Sequence, residues 1–243
     1  MRAWRVAVSI MRRSIRVAVA NGAGLLCSRI DVLVVAAVIS AAAAGVYSIA
    51  VALSTNLLLL SRSLLTATYH SIMTAPERDV ASRLGVAIRH SVIVVLAGGA
   101  VSIVVTAVGA GWIFGSAYSD VWQPYSLLVA AAVCVCVVEV LRHYLLTRLE
   151  RQVEYVVVLT AMLVLNGALA AAGAALFGLL GAAASTLITY ALAAGVLVAI
   201  CSRRLGVPMR ELAVPRRSDL VLYWRAARSA LRRRRHPTAV APE

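Results

Sequence analysis

Apolar residues run through this chain in six long blocks, at about 17–40, 45–69, 86–109, 125–147, 153–175 and 179–201, each parted from the next by a short polar or glycine-containing break. Every block is close to the ~20 residues a helix needs to cross the ~30 Å hydrocarbon of a bilayer. The pattern predicts an all-α, polytopic membrane protein whose six transmembrane helices form one bundle. Ahead of the first block, residues 1–16 set Arg2, Arg5, Arg12 and Arg16 at helical spacing with Trp4, Val8, Met11 and Ile15 on another side, which predicts an amphipathic helix lying on the membrane surface. Five arginines interrupt this segment, so it has no continuous apolar core of a cleavable signal. After the last block, 203–243 reads as a basic cytoplasmic tail. Within it 218–235 repeats the amphipathic pattern, and the closing "HPTAVAPE" reads as disordered.

Composition agrees with the pattern: 62% of residues are apolar, the mean hydropathy is +0.89, and only 14% are charged, against about 25% in an ordinary soluble domain. Charge adds orientation. All 24 basic residues are arginine and the formal net charge is +14. Arginines stand before the first span, in the second loop (Arg78, Arg83, Arg89), in the fourth (Arg148, Arg151) and in the tail, while the first, third and fifth breaks contain none. By the positive-inside rule this places both termini in the cytoplasm and the chain in the plasma membrane. The same distribution selects anionic inner-leaflet lipids as partners and excludes nucleic acid, because no aromatic-rich polar domain accompanies the arginines. The third loop holds Trp112, Tyr118, Trp122 and Tyr125, an aromatic group of headgroup-boundary type, and predicts a short interfacial helix or re-entrant turn.

Candidate chemistry is sparse. Cys27, Cys134, Cys136 and Cys201 all lie in apolar blocks, and Cys134 and Cys136 point about 200° apart on a helix, so they read as core residues and no metal site is expected. The ten acidic residues and the histidines His70, His90 and His143 form no catalytic constellation, so the chain does not read as an enzyme and implies no cofactor. Glu139, Arg142 and His143 share one helical face near the inner boundary and read as a structural ion pair. Arg29 and Asp31 differ, because they lie twelve to fourteen residues into their block, about 18–21 Å along the axis and beyond easy snorkelling. A charge at a helix centre costs roughly 2.5–3.5 kcal/mol to insert, so both are expected to face protein or water, on opposite sides of the helix with separate partners. Asn56, Arg62 and Asn166 are the nearest polar company in kind. Two readings stay open for the mid-span charges, a buried ion pair that locks helices together and polar groups lining a substrate pathway; on the second, Arg29, Asp31, Asn56 and Arg62 are the candidate substrate-binding residues. An arginine fork there suits a phosphate group.

Four stretches in register carry a family resemblance: "GVYSIAVAL" (45–53), "IFGSAYSDVWQPYSLLVAA" (113–131), "YLLTRLERQVEY" (144–155) and "GLLGAAASTLITY" (178–190). Their order and spacing resemble the C-terminal half of the polysaccharide (O-antigen type) flippases, in the multidrug/oligosaccharidyl-lipid/polysaccharide exporter superfamily. The resemblance covers about 17–202. It implies a transporter that moves a lipid-diphosphate-linked glycan between leaflets by alternating access between two six-helix bundles, with Arg29 as ligand for the diphosphate, Arg62 nearer the entrance, and Asp31 orienting an arginine or binding a coupling cation. Such a transporter has twelve or more helices and this chain supplies six, so the resemblance implies a homodimer or a second six-span half. The halves are related by an axis along the membrane normal, which a homodimer satisfies. Three alternatives stay open: half of a multidrug-type exporter of small solutes, a membrane scaffold in polysaccharide assembly, or a truncated remnant.

Overall fold

In the computed structural model, residues 29–149 and 152–209 are described, together with Met11, Ser14, Ile15 and Gly22. The helices are α1 (Ile30–Val38), α2 (Ala41–Met73), α3 (Glu77–Phe114), α4 (Trp122–His143) and α5 (Gln152–Leu205), with a 3-10 turn at Ser116–Val121 and a π turn at Tyr144–Arg148. No strand occurs among the described residues. Four helical stretches are long and apolar enough to cross a membrane: Ala41–Met73, Glu77–Phe114, Ser116–Arg148 and Val153–Leu205. The expected surface helix over 1–16, the first half of the 17–40 block and the tail after 209 lie almost wholly outside the described residues.

α2 and α3 outrun at both ends the apolar blocks that predict them, for local reasons. α2 starts at Ala41 because the Ser40 hydroxyl accepts the amide of Ala43 at 3.1 Å and caps the helix. α3 starts nine residues before its apolar block, with Pro76 at its head and Glu77 and Asp79 in its first turn, where acidic groups complement the positive end of the helix dipole. The expected interfacial turn after the third block is the 3-10 segment, entered through Gly115. The aromatic group there divides: Trp112 is 93% exposed, whereas Tyr125 is buried and its hydroxyl pairs with that of Ser102 at 2.7 Å. Tyr125 is thus a core residue and not part of a boundary cluster, because it sits on the face of α4 that packs against α3.

The fifth and sixth blocks form the two helical arms of α5, which meet at Gly178, whose φ of 62° and ψ of −140° are not helical. The two arms fold back on each other. Ser185 Oγ donates to the carbonyl of Leu169 at 2.7 Å, and Arg204 pairs with Glu154 at 2.8 Å, fifty residues apart in sequence. A straight helix would hold those last two about 75 Å apart. Gly173 and Gly181 bring the arms into backbone contact, since a Cβ on either would overlap the other's carbonyl. Such close approach is what small residues permit where helices pack in lipid.

α4 is the most deeply buried of the long helices and packs against α2, α3 and α5, while α1 lies against α2 and α5. Two apolar clusters result. One holds Ile72, Leu84, Ile88, Leu141, Leu145 and Leu197 at the end carrying the α2–α3 turn; the other holds Val35, Tyr47, Val121, Tyr125 and Ala182 at the end carrying Gly115 and Gly178. Cys136 and Cys201 are buried and Cys134 half-buried, all as free thiols, in keeping with a core role. The outward face of α3 shows Val101, Val104, Val105, Val108 and Trp112, an exposed apolar stripe of the kind a membrane helix turns to lipid.

Two arginines of the loops also have structural work. Arg148 donates to the carbonyls of Ile72 (2.7 Å), Met73 (3.2 Å) and Ala75 (2.7 Å), and Arg83 donates to that of Ser71 at 2.9 Å. Both satisfy acceptors that the end of α2 leaves without intrahelical partners. Arg148→Ala is expected to destabilise the protein by about 2–3 kcal/mol, the scale of losing hydrogen bonds from a charged donor. Thermal unfolding in detergent tests this; an unchanged midpoint would show that the α2–α3 turn holds without the clamp.

Candidate functional site

α1 begins at Ile30, and Arg29 sits just outside it with φ −131° and ψ −4°, so the two charged residues are not on a common helix. Helical spacing therefore does not send them to opposite sides. Arg29 is exposed and Asp31 is 3% exposed, and both line one cavity. Asp31 is fixed by three donors: its Oδ1 accepts the amide of Val32 at 2.9 Å, and its Oδ2 accepts the hydroxyls of Tyr47 at 2.9 Å and Thr186 at 3.2 Å. Those hydroxyls come from α2 and from the second arm of α5. A carboxylate removed from water needs such donors, and here they tie three helices together.

The cavity has a volume of about 900 Å³. α2 lines it with Val51, Ser54, Thr55, Leu58, Arg62, Leu65, Thr66 and Tyr69, a stripe at helical spacing. α4 contributes Leu128, Ala131, Val135, Glu139, Arg142 and His143, and α5 contributes Tyr155, Leu159, Met162, Thr186 and Tyr190. Apolar walls with a few polar groups at defined places are the usual form of a ligand site. The polar groups gather at two levels. Arg29, Asp31 and Thr186 form the first; Arg62, Glu139, Arg142 and His143 form the second. Tyr47 and Arg62 lie fifteen residues apart on α2, so the two levels are separated by about 22 Å along that helix.

At the second level Glu139 lies 3.5 Å from Arg62 and 3.8 Å from Arg142. The Arg142 contact is the i, i+3 pairing expected from the sequence. The Arg62 contact is additional and joins α2 to α4 across the cavity. His143 bonds through Nδ1 to the backbone oxygen of Glu139 at 2.8 Å, and its ring stands edge-on to Tyr69.

Of the four candidate residues, three, Arg29, Asp31 and Arg62, line the cavity. Asn56 is exposed and lies off its wall, between Thr55 and Leu57 but turned away from both lining and core. Asn166 is fully buried in the first arm of α5, with neither amide atom hydrogen-bonded. Sequence reasoning missed Tyr47 and Thr186 as the partners of Asp31. The available signal was weak: a tyrosine and a threonine placed early in otherwise apolar spans. No group of three or more residues suited to a metal ion occurs among the described residues. No protein-family model, curated protein or solved structure matches this chain.

Proposed function

We propose that the chain is a six-span protein of the plasma membrane, with both termini cytoplasmic, and that it forms one half of a flippase-type transporter for a lipid-diphosphate-linked glycan precursor. The antiparallel arms of α5 support the span count, since each is about 39 Å long, enough for a bilayer. The apolar block at 17–40, read from the sequence as the first span, brings the count to six. The arginines support the orientation: Arg78, Arg83, Arg148, Arg203 and Arg204 all belong to the end with the α2–α3 turn, and the opposite breaks contain none.

The observation that carries the transport reading is the cavity, which brings Arg29, Arg62 and Arg142 from three separate segments to one apolar-walled space. Intramembrane charges are costly to keep and belong to ligand pathways by default. Guanidinium forks match the oxygens of a diphosphate, and α2, α4 and α5 supply the apolar wall along which a lipid chain can lie. The second bundle is a second copy of this chain or another six-span protein.

The test is translocation of a fluorescent polyprenyl-diphosphate sugar in proteoliposomes. Arg29→Ala is expected to lower the rate by about tenfold or more, the scale of one lost charge-assisted contact. Unaltered translocation would remove Arg29 from the pathway. Asp31 favours a second reading, export of a small cationic solute, since its carboxylate lines the same cavity. Under that reading Asp31→Asn abolishes export of a cationic dye and Arg29→Ala does not.

A further inference from the structure

The Arg62–Glu139–Arg142 group is built differently from a structural ion pair. Glu139 faces two guanidinium groups at 3.5 and 3.8 Å, both longer than the ~2.7–2.9 Å of a charge-assisted hydrogen bond. It is held by charge and not by a directed bond. Nor is the group sealed in the core: the Arg62 side chain is 51% exposed, and all three residues line the cavity. Tyr69, two turns along the same face of α2, also lines the cavity there, while the Thr66 hydroxyl donates to the carbonyl of Arg62 at 2.9 Å.

We infer that Glu139 is a built-in competitor for the anionic headgroup: it occupies the Arg62–Arg142 pair, and a phosphate or diphosphate group takes its place there. The inference rests on the transport reading and adds a first station to it, about 22 Å along α2 from the Asp31 level. A diphosphate offers more oxygens and more charge to two arginine forks than one carboxylate does, so exchange is favourable. Once displaced, Glu139 stands beside the bound anion and repels it. The same residue that neutralises the pair therefore keeps the headgroup from being trapped there.

The experiment measures binding of a short-chain prenyl diphosphate and, separately, of inorganic pyrophosphate to purified protein in nanodiscs by calorimetry. Glu139→Gln is expected to tighten prenyl diphosphate binding by about threefold to tenfold, the scale of removing a partly exposed competing charge. Arg62→Gln is expected to weaken it, and the double variant to bind more tightly than Arg62→Gln alone but less tightly than Glu139→Gln. Tightening confined to the prenyl compound supports a lipid headgroup as the ligand; equal tightening with pyrophosphate supports a free diphosphate. If Glu139→Gln fails to fold, Glu139→Asp serves instead, because it retracts the charge from Arg62 and is expected to tighten binding to a lesser degree. Unchanged or weaker binding in the Glu139 variants, with Arg29→Ala still impaired, overturns this inference and leaves the transport reading standing. No binding of either probe to any form overturns both.

Discussion

Gly181→Ala is expected to abolish a monodisperse folded species in detergent, whereas Gly195→Ala, the same chemical change on the same arm of α5, is expected to be harmless. The difference is geometric. A Cβ on Gly181 would overlap the backbone carbonyl of Gly173 in the facing arm, and backbone cannot swing aside as a side chain can. A Cβ on Gly195 meets nothing within 4 Å. Overpacking in a tight core costs typically about 1–3 kcal/mol, and here the arms themselves must part. Parting them breaks the Ser185–Leu169 bond and the Arg204–Glu154 pair and moves Thr186 away from Asp31. Gly195→Ala should if anything gain about 0.5–1 kcal/mol, as alanine does over glycine within a helix. Fluorescence-detected size-exclusion of both variants decides; equal behaviour would mean that the arms are not in backbone contact.

The Asp31–Tyr47 bond is the second point at which one substitution should act strongly. Tyr47 is fully buried and Asp31 nearly so, and their 2.9 Å contact joins α1 to α2. Tyr47→Phe removes a donor from a desolvated carboxylate and is expected to cost about 1.5–3 kcal/mol. Combined with Asp31→Asn the losses should not add. A double-mutant cycle, read from denaturant unfolding of reconstituted protein, should show a coupling of at least about 1 kcal/mol between the two positions. Thr186→Val, with its longer 3.2 Å contact, should have the smaller effect. A coupling near zero would mean that Asp31 is satisfied from elsewhere and that α1 is anchored by its apolar contacts alone.

The long helices were legible because their apolar blocks have bilayer length, but the first break, expected at 41–44, lies at Ser40, since its hydroxyl caps α2 and 41–44 are already helical. The break expected near 176–178 is the Gly178 turn, since a two-arm hairpin so short requires a residue free to adopt positive φ. Helix ends were less legible. Pro76, Glu77 and Asp79 look like loop by hydropathy and yet form the start of α3, because capping and dipole effects are independent of apolar content. At the site, charge inside apolar blocks pointed to Arg29, Asp31 and Arg62, which line the cavity. It did not reveal Tyr47 and Thr186, or the bridge from Glu139 to Arg62, since these pairings join positions 16, 155 and 77 residues apart in sequence. Spacing along one helix shows neighbours on that helix only. The expectation that Arg29 and Asp31 diverge rested on a continuous helix, and the start of α1 at Ile30 removes that premise.

We propose that the cavity takes a lipid diphosphate within a transporter completed by a second bundle. Native mass spectrometry of the nanodisc-extracted complex, with every chain identified and polyprenyl diphosphate added, tests it most directly. Two six-span chains, identical or not, are expected, with bound lipid that is lost in Arg29→Ala. A single chain that takes up no lipid would contradict it.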